Sequence, residues 1–149
     1  MGRIVNCVVC DEIRQEITNK FILIGVYVKD IVVPEFPTHT AISIWLQYRP
    51  DRIGDHDIFV RVNGPTDEEG KLAPFVGMRA RAVVDKIEDV PLALNKLIFK
   101  ADRPGEISID FSHDNEKWEE ISRLKVLHGA VASVGFTPSL LGGATSETG

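Results

Sequence analysis

Strict two-residue alternation recurs four times along the chain, and it constrains the fold more than any other feature. In 40–48, Ile42, Ile44, Leu46 and Tyr48 oppose Ala41, Ser43, Trp45 and Gln47. In 57–63, Ile58, Val60 and Val62 oppose Phe59, Arg61 and Asn63. In 75–84, Val76, Met78, Ala80, Ala82 and Val84 oppose Gly77, Arg79, Arg81 and Val83. In 106–112, Ile107, Ile109 and Phe111 oppose Glu106, Ser108, Asp110 and Ser112. Successive side chains of a strand point to opposite faces, so each segment reads as a half-buried strand with one wet face.

The separators are turn chemistry: 49–55 with Pro50 and Gly54, 63–70 with Gly64 and Pro65, and Arg103-Pro104-Gly105. Repeated strands at this spacing predict an all-β fold, a two-sheet, mainly antiparallel sandwich of about seven to nine strands. Weaker strands are expected over 3–9 and 95–100, residues 10–16 read as a polar connection after the first, and Ile31-Val32-Val33 is a short apolar piece before Pro34. Phe21-Ile22-Leu23-Ile24-Gly25-Val26-Tyr27-Val28 carries no charge. With neither alternate set polar, it reads as a central strand buried on both faces.

Residues 115–128 admit two readings. Trp118, Ile121, Leu124 and Leu127 fall at helical spacing, with acids first, bases later and Gly129 placed to cap a short C-terminal helix. Asp114-Asn115 instead suits a hairpin tip, and Leu124 and Val126 alternate with Arg123 and Lys125. Composition and topology favour a hairpin with a bulge near Ile121. One sandwich domain over 1–136 is expected, followed by a flexible tail over 137–149 with the composition Gly-Gly-Ala-Thr-Ser.

At 149 residues, 44% hydrophobic and 26% charged, the chain suits one soluble domain. A net charge of −5 opposes wrapping of nucleic acid. The start carries no secretory pattern, Asn6 stands where a myristoylation signal wants Ser or Thr, and no apolar run spans a bilayer. A cytoplasmic protein away from membranes is therefore expected, and two cysteines agree with a reducing compartment.

Cys7-Val8-Val9-Cys10 matches C-x-x-C, but a structural zinc site needs four ligands and no second pair exists. One or both thiols are expected as small core residues, without metal or mutual disulfide. His39, His56, His113 and His128 are scattered through different turns. If the acidic turns around His56 and His113 met, carboxylates there would suit calcium. No nucleophile elbow, P-loop or dinucleotide fingerprint occurs, so no enzyme and no cofactor are expected.

The segment Cys10-Asp11-Glu12-Ile13-Arg14-Gln15-Glu16, then Lys20 before Phe21–Tyr27, resembles a small family of bacterial proteins of unknown function. Ile31-Val32-Val33-Pro34-Glu35-Phe36-Pro37 and Pro104-Gly105 are similar to it as well. The resemblance implies a single β-sandwich, brings no catalytic residues, and makes Asp11, Arg14 and Glu16 structural. In that role Asp11 would bond backbone N–H groups of a turn, and Arg14 would pair with Glu16.

The function expected is a non-catalytic interaction or assembly module whose partner is protein, as a homo-oligomer. The alternatives are a ligand-binding sandwich holding a metal ion or sugar at one end, and less favourably a hydrolase. The candidate binding residues are Arg61, Arg79 and Arg81, a basic stripe if their strands pair across 63–74. Its expected counterpart is the Glu106–Asp110 face of a second subunit or an anionic ligand.

Overall fold

A computed structural model describes residues 1–66 and 71–129. Among them are nine strands and no helix: β1 (Arg3–Gln15), β2 (Phe21–Val26), β3 (Asp30–Val33), β4 (Thr38–Arg49), β5 (Gly54–Pro65), β6 (Leu72–Val84), β7 (Val90–Ala101), β8 (Gly105–Ser112) and β9 (Glu119–His128). They form two sheets, β2-β1-β4-β7 and β3-β9-β8-β5-β6. Every pairing is antiparallel except β3 with β9. The expected boundary at 136 and the tail over 137–149 lie outside the described residues.

The alternation places the core as expected. Ile42, Ile44, Leu46 and Tyr48 of β4 and Ile58, Val60 and Val62 of β5 are at most 1% exposed. They meet Leu94, Leu97 and Phe99 of β7 and Ile107, Ile109 and Phe111 of β8 in one cluster. Burial of this kind contributes roughly 1.5–3 kcal/mol per large aliphatic side chain.

Three sequence expectations need correction. First, β2 is not central. It is the edge of its sheet, bonded to β1 alone, and Ile22, Ile24 and Val26 are 42%, 38% and 51% exposed. An uncharged apolar strand reports a covered surface, and here no strand among the described residues pairs with the outer side of β2. Second, residues 10–15 are not a polar connection but the far half of β1, paired with β2 from Cys10↔Val26 to Gln15↔Phe21. Third, of the two readings of 115–128 the short helix falls and the favoured hairpin stands. A hairpin joins β8 to β9, and the register slips between Ile109↔Ser122 and Asp110↔Glu120, which leaves Ile121 as the bulged residue.

Candidate functional site

The register of β5 and β6 sets Phe59 opposite Arg79, Asp57 opposite Arg81 and Arg61 opposite Gly77. Residues directly opposite in an antiparallel pair project to the same side, so Arg61, Arg79 and Arg81 do share one outer face. That face is not a bare basic stripe. One Arg79 terminal nitrogen lies 3.2 Å from both oxygens of Asp57. Arg81 lies 3.6 Å from Asp57 and 3.9 Å from Asp55. Arg61 donates through Nε to Asp110 at 3.1 Å.

The face of β8 assigned to water is covered. Ser108, Asp110 and Ser112 are 3%, 8% and 2% exposed. β8 lies between β5 and β9, and its short polar side chains sit beneath longer neighbours such as Arg61 and Arg123. Asp110 also accepts from Asn63 Nδ2 at 2.7 Å, and Glu106 accepts from Arg123 at 2.7 Å. The acidic counterpart expected on a second subunit is therefore occupied within the chain.

Between β5, β6 and the β8–β9 turn lies a groove of about 390 Å³. Phe59, Arg61, Gly77, Arg79, Asn115 and Trp118 line it, whereas Arg81 lies outside. The guanidinium carbon of Arg61 stands 4.0 Å from the Trp118 ring centroid, within cation–π range, and that of Arg79 5.7 Å from Phe59. Trp118 is carried there by the turn. The Asp114 carboxylate accepts backbone N–H bonds from Glu116 and Lys117, each at 2.9 Å, and Asn115 adopts a φ of +64°. Those two backbone bonds, with one from Ser112, hold the Asp114 carboxyl down at about 2. Sequence reasoning missed Trp118 as the partner of Arg61; a tryptophan just past an Asp-Asn hairpin tip is the signal that was available.

Two of the scattered histidines converge on Tyr48, with His56 and His113 rings 5.5 and 6.1 Å from its own. His56 Nε2 lies 2.8 Å from the Arg52 carbonyl, which can only accept, so Nε2 carries the proton and Nδ1 accepts from the Tyr48 hydroxyl at 2.9 Å. His113 Nε2 donates to the Gly2 carbonyl at 2.6 Å. These nitrogens are spent on the fold. Among the described residues no group of three or more His, Cys, Asp or Glu side chains is placed to hold a metal ion. Cys7 and Cys10 are free thiols, and burial pushes Cys7 up to about 12 and raises Cys10 as well.

The N-terminal pattern is assembled differently from the expectation. Asp11 accepts the Tyr27 hydroxyl rather than turn N–H groups. Arg14 pairs with Glu12 at 2.7 Å, and Glu16 with Lys20 at 3.6 Å. Behind the hairpin, the Asn95 amide takes both backbone groups of Ile13, at 2.8 and 3.3 Å, and accepts from the buried Ser43 hydroxyl at 2.9 Å. The hairpin of β1 and β2 is thus anchored along β1, while among the described residues the outer side of β2 has no pairing strand. The other three edges carry the usual protection against pairing. β3 is four residues long, β6 carries Pro74, Arg79 and Arg81, and β7 carries Pro91, Lys96 and Lys100. β2 has neither charge nor proline.

A sequence model described as "Family of unknown function (DUF6941)" matches residues 6–126. No curated protein matches the chain. Among solved structures, a β-glucosidase from Listeria innocua in complex with gluconolactone aligns at 11% identity and a TM-score of 0.42, over 85% of this chain and 16% of that one. A β-glucosidase from Erythrobacter marinus aligns at 13% identity and a TM-score of 0.37, over 64% of this chain and 14% of that one. The chain thus spans about a sixth of the first enzyme's length, and at these scores the likeness carries no argument about activity. No helix among the described residues is long and apolar enough to cross a membrane.

Proposed function

The chain belongs to this family of unknown function, and from that premise we propose that it is a non-catalytic interaction module that self-associates through the open edge of β2. The observation that carries the reading is the contrast among edges: three are guarded, and the fourth exposes Ile22, Ile24 and Val26. Unpaired N–H and C=O groups beside an apolar row favour addition of another strand.

A second copy suits this edge because β2 is complementary to itself. Antiparallel pairing about a two-fold axis at Leu23 sets Ile22 opposite Ile24 of the other copy, twice over, with no charge at either contact. It would join two four-stranded sheets into one of eight. The non-catalytic part of the reading is supported by histidine nitrogens engaged in the fold and thiols that burial keeps protonated. Two unpaired thiols also support residence in the cytoplasm.

Light scattering after size exclusion tests the reading. The wild-type chain is expected at twice its 16.5 kDa mass. Ile24→Lys, which installs the charge the other edges carry, is expected at the monomer mass with an unchanged melting temperature. Ile22→Lys serves as a second, independent variant. A wild-type chain that stays monomeric at high micromolar concentration, or lysine variants that keep the double mass, would overturn it.

A further inference from the structure

We propose that the groove between Arg61 and Arg79 is a binding site for a flat aromatic anion, a ring bearing a carboxylate or a phosphate. The site is separate from the β2 edge and lies on the other sheet.

Arg61 is held more firmly than a surface arginine. Its Nε is bonded to Asp110, whose carboxylate Asn63 in turn fixes, and its guanidinium lies over Trp118. Only 28% of its side chain is exposed. Yet its two terminal nitrogens have no hydrogen-bond partner among the described residues. An arginine that serves only to balance an aspartate usually presents its two-pronged fork to the carboxylate. Here the prongs are left for something else, and the side-chain ordering that binding normally costs has already occurred in folding.

Arg79 repeats the arrangement across the groove. One of its terminal nitrogens grips Asp57, and its other N–H groups have no partner among the described residues. The two acids hold the arginines from one side and leave their donors open. Gly77 faces Arg61 and leaves the floor vacant: a Cβ there would meet only ordinary contacts, 3.7 Å from the Val60 carbonyl oxygen and 3.9 Å from Arg61 Cβ. Phe59 and Trp118 supply aromatic walls.

These features select a ligand class. Guanidinium prongs match the planar oxygens of a carboxylate or phosphate. The plane of Arg61 and the walls suit a ring. The volume of about 390 Å³ is at the small end for ligand sites, so the occupant is one or two rings in size.

The probes are phenyl phosphate and benzoate, with inorganic phosphate and phenol as the halves of the chemistry. Indole N–H resonances of Trp45 and Trp118 are followed in the full-length protein. Saturable movement of the Trp118 signal alone is expected with phenyl phosphate or benzoate, and little with phosphate or phenol. Arg61→Lys keeps the charge against Asp110 but removes the planar fork, and is expected to weaken binding roughly tenfold. Gly77→Val, on open floor, is expected to fold normally and abolish binding, so a result remains even if Arg61→Lys folds poorly. Saturation by neither aromatic anion, equal saturation by phosphate or phenol, or unchanged affinity in Gly77→Val would overturn the assignment. A monomeric wild-type chain would leave it standing.

Discussion

Gly25 is held at a φ of +68°, and the Asp11 carboxylate lies where a Cβ would be. The left-handed region costs an L-residue about 1–2 kcal/mol, and the overlap would also push Asp11 off the Tyr27 hydroxyl it accepts. Gly77 has neither constraint. Gly25→Val is therefore expected to lower the urea midpoint clearly, and Gly77→Val hardly at all. Equal midpoints would refute the assignment. The central, doubly buried strand expected over 21–28 would give the same ranking through overpacking. The cause expected from the structure is different, because composition registers how apolar a segment is and carries no trace of a backbone angle or of a carboxylate arriving from β1. The position of Trp118 past the hairpin tip was legible, but its partner was not, for a related reason: the contact with Arg61 joins positions 57 apart in the chain.

Among the elements, those with one wet face were the legible ones. β4, β5, β6 and β8 contain the segments that alternation marks, because burial of one face imposes a period of two. β2 was misplaced because a strand apolar on both sides looks the same whether its own domain or a neighbour covers it. The helical spacing in 115–128 has a definite origin in the bulge. Ser122 opposes inward-facing Ile109, while Ile121 also packs on the core, so Ile121 and Leu124 share a face although three apart. The turn before β9 should respond to acid. Its Asp114 carboxyl is depressed to about 2 by backbone N–H bonds. A group depressed in the folded state stabilises above its unfolded value near 3.9 and loses that contribution as pH falls toward the folded value. Amide exchange at Glu116 and Lys117 is thus expected to lose protection between about pH 4 and pH 2. In Asp114→Asn that pH-dependent step should be gone; its persistence would assign the acid response to another group.

At the scale of the whole molecule, strand number and class follow from the sequence, but the order β3-β9-β8-β5-β6 does not. The parallel contact of β3 with β9 joins residues nearly a hundred positions apart, and nothing local encodes it. The same long-range pairings decide which surface is left for a partner. An arginine stripe read from Arg79 and Arg81 implies association driven by charge, which salt weakens. In the folded protein those arginines face Asp55 and Asp57 on their own sheet, and exposed pairs of this kind contribute little beyond cancelling one another's field. The proposed association through Ile22 and Ile24 would be apolar and would behave oppositely. Raising salt from about 0.01 M to about 1 M shortens the screening length from roughly 30 Å to roughly 3 Å, yet the associated fraction should hold steady, and sulfate should increase it by favouring apolar burial. Arg79→Glu combined with Arg81→Glu should leave the mass unchanged by light scattering, while Ile24→Lys halves it. Dissociation by sodium chloride, together with a monomeric arginine double variant, would move the interface from the edge of β2 to the outer face of β6.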